Sequence, residues 1–173
     1  MGHSTRSFDE LVAALAAYGV TALIDIRSIT RSRANPQFDA RRLRTRLPRA
    51  GITYAAMPGL GGRRRRDPDA DPDRNAGWIH PAFKNYADHA ETPAFAGALA
   101  ALLARAATET CAVMCAEALW WRCHRRIVAD YALTRGLRVV HIFKPTKSER
   151  ATRTPFARLD RKTRTLRYPR PHE

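Results

Sequence analysis

Acidic residues are scarce in this chain: sixteen Asp and Glu stand against thirty-one Lys and Arg, for a formal net charge of +15 over 173 residues. Cysteine is rarer still. Its three copies all fall between Cys111 and Cys123, an odd and clustered set that excludes a disulfide framework and points to burial or chemistry. No apolar run approaches the length that spans a bilayer, and Met1 to Phe8 lacks the apolar stretch of a secretory signal. The expectation is a soluble, cytoplasmic protein with reduced thiols and no membrane partner. Disorder is excluded as well, because 45% of the residues are apolar and the length suits one ordinary domain.

The placement of the charge says more than its size. Residues 27–66 hold twelve arginines and one acid, Asp39, a net of +11. Residues 143–173 hold ten Lys or Arg against three acids, a net of +7, and the rest of the chain is slightly negative. Clustered arginines neutralise phosphates and release counterions, so a nucleic-acid or nucleotide partner is the physical expectation. Codon bias explains arginine over lysine, but it does not explain the missing acids.

Ser7 and Glu10 form a capping-box pattern ahead of Leu11, Val12 and Leu15, and Gly19 closes that helix. Ala22 to Ile26 and Ile52 to Ala56 read as short buried strands. Between them Asp39 caps an arginine-rich helix that Pro48 ends. Residues 57–77 carry Arg63 to Arg66 and then four aspartates with no face to bury, so they are expected to form a mobile loop. Helices follow at Pro81 to Ala90 and from Thr92-Pro93 onward. Then come a strand at Thr110 to Cys115, a helix at Cys123 to Arg135 and a strand at Leu137 to Phe143. This alternation predicts one α/β domain over residues 1–143, a mostly parallel sheet of about four strands with helices on both faces. Residues 144–173 read as a basic, proline-rich tail without helical or strand period, packing on that domain.

Ligands of such sheets bind beyond the carboxyl ends of the strands. The rule selects Asp25 and Arg27 after one strand, and Cys115 and Glu117 after another. The sharpest stretch runs from Cys115 through Glu117, Trp120, Trp121 and Arg122 to Cys123, His124, Arg125 and Arg126. A helix N-terminus there favours anions and, with arginines nearby, lowers a thiol's pKa.

Three readings compete for this stretch. Cys115 or Cys123 is a nucleophile with His124 as proton carrier; or Cys115, Cys123 and His124 ligate a metal, with His3 as a fourth ligand; or all are packed core residues. Against the metal stand the eight-residue Cys spacing and the splay of about 100° between neighbours on a helix. No metal or other cofactor is therefore assigned. Trp120 and Trp121 either stack a nucleobase or lid the sheet. Arg27 either clamps phosphate, oriented by Asp25, or pairs with it internally. Glu117 is a general base or an arginine's partner. Asp67 to Asp73 can neutralise Arg63 to Arg66 locally.

The ordered motifs Gly2-His3-Ser4, Asp25-Ile26-Arg27-Ser28, Arg31 to Phe38, Leu60-Gly61-Gly62-Arg63 and Phe83 to Asp88 resemble those of the bacterial family called domain of unknown function 488. Met114-Cys115-Ala116-Glu117, Cys123-His124-Arg125-Arg126, Val140-His141-Ile142, Thr154 to Arg158 and Tyr168-Pro169 extend the resemblance over the whole chain. It implies an α/β fold whose motifs gather at one edge, with His3 and Ser4 supporting the site. The family's name leaves its activity open. Relatives carry a few apolar residues before Gly-His-Ser as a first strand, whereas Met1 directly precedes Gly2 here. Distant relatives that lack both cysteines keep the histidine, which favours His124 over an obligatory cysteine nucleophile.

The leading expectation is an enzyme acting on a nucleotide or nucleic-acid base, of repair or modification type. Arg27, Arg33, Arg125 and Arg126 would hold phosphate, and His124 and Glu117 would move protons. Cys115 or Cys123 would attack or line the pocket. The alternatives are a non-catalytic nucleic-acid-binding module and an enzyme on a small anionic metabolite.

Overall fold

A computed structural model describes residues 1–170. The capping box is present. Ser7 accepts from the Glu10 amide, Glu10 accepts from the Ser7 amide, and α1 follows at Phe8–Ala16. Strand β1 (Ala22–Asp25) is the middle strand of a three-stranded parallel sheet, between β2 (Thr53–Ala56) and β3 (Cys111–Met114). Asp25 stands opposite Ala56 on one side and Met114 on the other.

A central strand is covered on both faces, and every residue of β1 is buried. Leu23 joins α1 and α2 (Ala40–Arg46), packing with Leu11, Leu15, Phe38 and Leu43. Ala22 and Ile24 face the other way, toward α3 (Pro81–His89), α4 (Pro93–Ala106) and α5 (Arg125–Thr134), against Tyr86, Phe95, Leu99 and Ile127. Helices on both faces are what a short strand buried on both sides requires. Each such buried side chain contributes roughly 1.5–3 kcal/mol.

The expected fourth strand does not join this sheet. Strand β4 (Val140–Lys144) pairs antiparallel with β5 (Lys147–Arg150) instead. The free edge of β3 is already taken, since Gly2 bridges Cys115 in parallel sense. The His3 amide donates to the Cys115 carbonyl at 2.9 Å, and the Ser4 amide donates to Ala116 at 3.0 Å. Gly2 is needed there, because a Cβ would lie 1.8 Å from the Glu117 carbonyl oxygen.

The C-terminal segment is also more ordered than its composition implies. It forms β5 and a second hairpin, β6 (Arg158–Leu159) with β7 (Leu166–Arg167). Lys147 to Arg150 are all exposed, so no apolar period marks the strand, and main-chain hydrogen bonds alone define it. Ala157, Leu166 and Tyr168 are fully buried against the helices. Buried Asp130 accepts from the Thr154 amide at 2.8 Å and from the Tyr168 hydroxyl at 3.0 Å. The last three residues of the sequence-defined tail, 171–173, lie outside the described residues.

Residues 63–74 contain no helix or strand, and both flanks are anchored. Leu60 is buried, and its carbonyl accepts from the Tyr86 hydroxyl. Asn75 is buried between Asp88, Glu91 and the Tyr168 amide. Among the described residues no ion pair joins Arg63 to Arg66 with Asp67 to Asp73. Local neutralisation therefore does not occur through direct pairing. No helix among the described residues is long and apolar enough to cross a membrane.

Candidate active site

The carboxyl ends of β1 and β3 carry two polar clusters side by side. At the end of β1, the Arg27 guanidinium donates to both oxygens of Asp25, at 2.8 and 2.6 Å, and to the Phe38 carbonyl at 2.7 Å. Its remaining terminal nitrogen faces His3 Nε2 at 3.2 Å. Four of its five N–H groups are thereby used. Asp25 is fully buried and also accepts from the Arg27 amide and the Tyr54 hydroxyl. Burial holds the His3 pKa below its ordinary value. The ring is therefore neutral: Nδ1 donates to the Ser4 carbonyl at 2.8 Å, and Nε2 accepts from Arg27. Arg27 is thus internally paired with Asp25, and together with His3 it also lines a cavity of 300 Å³.

At the end of β3 stand Cys115, Cys123 and His124. Cys123 is extended (φ −131°, ψ 145°) and His124 begins the helical turn (φ −56°, ψ −17°). Regular helix starts only at Arg125, so the 100° splay expected of helical neighbours does not arise. Both side chains reach the same point. His124 Nδ1 lies 3.6 Å from Cys123 Sγ and 4.0 Å from Cys115 Sγ. The three donor atoms lie within 4.8 Å of one another. They are the group among the described residues with the chemistry to hold a metal. His3 is not part of it, because both of its ring nitrogens are engaged elsewhere.

Close packing fixes the His124 ring. Tyr86 lies against it at 4.9 Å between centroids, and Nε2 faces the Ile26 carbonyl at 3.4 Å. Gly62 approaches so closely that a Cβ there would stand 2.7 Å from Nδ1. This explains Gly62, while at Gly61 a Cβ would stand 2.6 Å from Ser28 Oγ.

The two buried thiols are not equivalent. The neighbouring Cys115, with His124 and Arg125, favours the Cys123 thiolate and outweighs burial, so the Cys123 pKa falls far below that of a free thiol. Arg125 Nε donates to Cys123 Sγ at 3.2 Å. Cys115, beside that sulfur and itself buried, is pushed up. Cys111, at the opposite end of β3, is raised by burial.

Two cavities meet at this cluster, of 520 and 300 Å³, sharing Gly62, Arg63, Cys115, Ala116 and His124 as walls. Ser4 and Glu117 line the larger one. The exposed Glu117 carboxylate accepts only from the Leu119 amide.

The arginines expected to hold phosphate are mostly elsewhere. Arg125 is buried, donating to Cys123 and to the Glu117 and Ala118 carbonyls. Arg126 donates to Thr154 and lies over the Trp78 ring at 4.8 Å. Arg33 is exposed and lines neither cavity. The arginines that do reach the cleft with exposed side chains are Arg31, Arg63 and Arg122. Charge alone cannot separate them from their neighbours. The signal for Arg63 was the preceding glycine pair, which brings its backbone against His124. Trp120 stacks on His141 at 4.2 Å, and Trp121 packs edge-on against Trp120. Neither lines the cavities, so both cover the β4 hairpin.

No curated protein and no solved structure matches this chain. A family model described as "Domain of unknown function DUF488" matches residues 7–132, a span that contains Asp25, Arg27, Cys115, Cys123 and His124. The chain belongs to the DUF488 family.

Proposed function

We propose that the cleft is the active site of an enzyme acting on a nucleotide or a nucleic-acid base. The observation that carries this reading is the Cys115–Cys123–His124 cluster opening onto two joined cavities with arginines at their walls. Arg31, Arg63 and Arg122 attract the phosphate, as mobile, solvated guanidinium groups do. Phe83 and Tyr86 give the larger cavity an aromatic side, suited to a planar base. His124 and Glu117 are the groups placed to move protons. The net charge of +15 speeds encounter with a polyanion.

Binding of a labelled single-stranded oligonucleotide and of nucleoside monophosphates, measured across a salt series, tests the recognition half. Affinity should fall steeply with salt, and Arg63→Ala or Arg122→Ala should each flatten the slope by about 0.7 for a single strand. Product analysis by mass spectrometry tests the chemistry, and His124→Ala should abolish turnover while leaving binding intact. Salt-steep binding without any product would leave a non-catalytic nucleic-acid-binding module. Salt-independent binding, with both arginine variants silent, would remove the nucleic-acid reading and leave a small anionic metabolite.

A further inference from the structure

We infer that Cys115, Cys123 and His124 form a three-ligand site for a thiophilic divalent cation, zinc above all, with its fourth position open to the cleft. The inference rests on the proposed function's premise that this cluster is the reactive part of the cleft, and with metal bound His124 is a ligand, so proton transfer falls to Glu117.

The donor set comes first. Two sulfurs and one imidazole nitrogen suit zinc, and three protein ligands with one open position are the pattern of catalytic rather than structural zinc. The distances agree. Zinc–sulfur and zinc–nitrogen bonds at tetrahedral angles put two sulfurs about 3.8 Å apart and sulfur and nitrogen about 3.6 Å apart. Here the nitrogen–sulfur separations are 3.6 and 4.0 Å, and all three atoms fall within 4.8 Å. The nitrogen–sulfur pairs need adjustments of a few tenths of an ångström and the two sulfurs an approach of up to about 1 Å to close the site.

The surroundings are an independent observation. A ligating histidine characteristically gives its other N–H to a carbonyl, and His124 Nε2 faces the Ile26 carbonyl while Nδ1 faces the sulfurs. Arg125 is buried, and its Nε donates to Cys123 Sγ. That N–H would stabilise Cys123 as a thiolate ligand. The exits are also right. Cys115 and His124 line both cavities and Cys123 the larger one, so the open side meets a space large enough for water or a substrate atom.

The test uses the full chain, reduced with a phosphine and stripped of metal by chelator. Titration with Zn²⁺ should show one equivalent bound per chain. Co²⁺ should give thiolate-to-cobalt charge-transfer bands with the intense visible bands of a tetrahedral centre. Cys111→Ser should keep the full spectrum, and Cys115→Ser and Cys123→Ser should each lose it. Should those two variants fail to fold, wild-type chain still decides. Zn²⁺ should slow alkylation of Cys115 and Cys123 by at least about tenfold, because a metal-bound thiolate no longer attacks, and leave Cys111 unchanged. A folded chain that takes up no Zn²⁺ or Co²⁺, or whose three cysteines alkylate at the same rates with and without Zn²⁺, would overturn the inference. That result leaves nucleotide binding and turnover unaffected. Metal uptake without any nucleotide or nucleic-acid interaction would instead remove the substrate reading alone.

Discussion

Asp25, Arg27 and His3 gather at the end of β1, and Cys115, Cys123 and His124 gather at the end of the neighbouring β3. Both groups are polar and both sit at the sheet edge where ligands bind in this architecture. In the first, the ion pair is closed by Tyr54, Phe38 and His3, so its polar atoms answer one another. In the second, His124 meets the two sulfurs at 3.6 and 4.0 Å and the Ile26 carbonyl at 3.4 Å, and the cluster opens onto both cavities. Polar groups that are fully satisfied hold a fold in place, and groups left short of partners are available to a ligand. Under the proposed function the chemistry falls to the second cluster, whose side chains line both cavities, while Arg27 and His3 of the first line the smaller one.

The largest effect that would break this comparison comes from the architectural side. Asp25→Asn leaves the Arg27 guanidinium buried without its counter-charge, at a cost of about 3–5 kcal/mol. Denaturant unfolding should show that loss, whereas His124→Asn, measured the same way, should lie within about 1 kcal/mol of wild type. Equal losses in the two variants would erase the distinction between the clusters.

A smaller effect concerns acid. Burial lowers the folded-state pKa of His3, so keeping it neutral contributes stability that is complete above the unfolded value of about 6.5. That contribution is lost as pH falls below it, through the lowered folded pKa. His141, held down to about 4 chiefly by burial beneath Trp120, acts in the same direction and the same window. Unfolding measured from pH 7 to 5 should therefore show stability falling with acid, less steeply in His3→Gln than in wild type. An identical slope in the variant would mean that His3 is not held neutral by the Arg27 cluster.

Much of the fold was legible because its signals are local. The Ser7–Glu10 capping box, the Thr92-Pro93 helix start and the apolar β1 each lie within a few residues. The fate of β4 was not legible, because the open edge of β3 is occupied by Gly2 and His3, more than a hundred residues away from it in sequence. The site divided in the same way. Cys115 and Glu117 could be placed by the strand-end rule and His124 by the helix start that follows them, and all three line the cleft. The arginines could not, since a guanidinium that pairs inward, as Arg27 and Arg125 do, reads in sequence like one that faces solvent, as Arg63 and Arg122 do. The boundary at Cys123 and His124 failed for a subtler reason. Ile127, Val128 and Tyr131 keep their buried stripe whether the helix begins at residue 123 or 125, yet those two residues decide whether thiol and imidazole diverge or meet.

The most direct measurement is the ultraviolet thiolate absorbance of the reduced, metal-free chain, followed from pH 8 down to pH 5 in wild type, Cys123→Ser and Cys111→Ser. One thiolate per folded chain should persist across that range in wild type and in Cys111→Ser, and be absent in Cys123→Ser, because Cys115, His124 and Arg125 hold the Cys123 thiol far below its ordinary value. A folded wild-type chain with no thiolate absorbance near neutral pH, or one whose signal survives Cys123→Ser, would contradict the assignment of this cluster as the reactive centre.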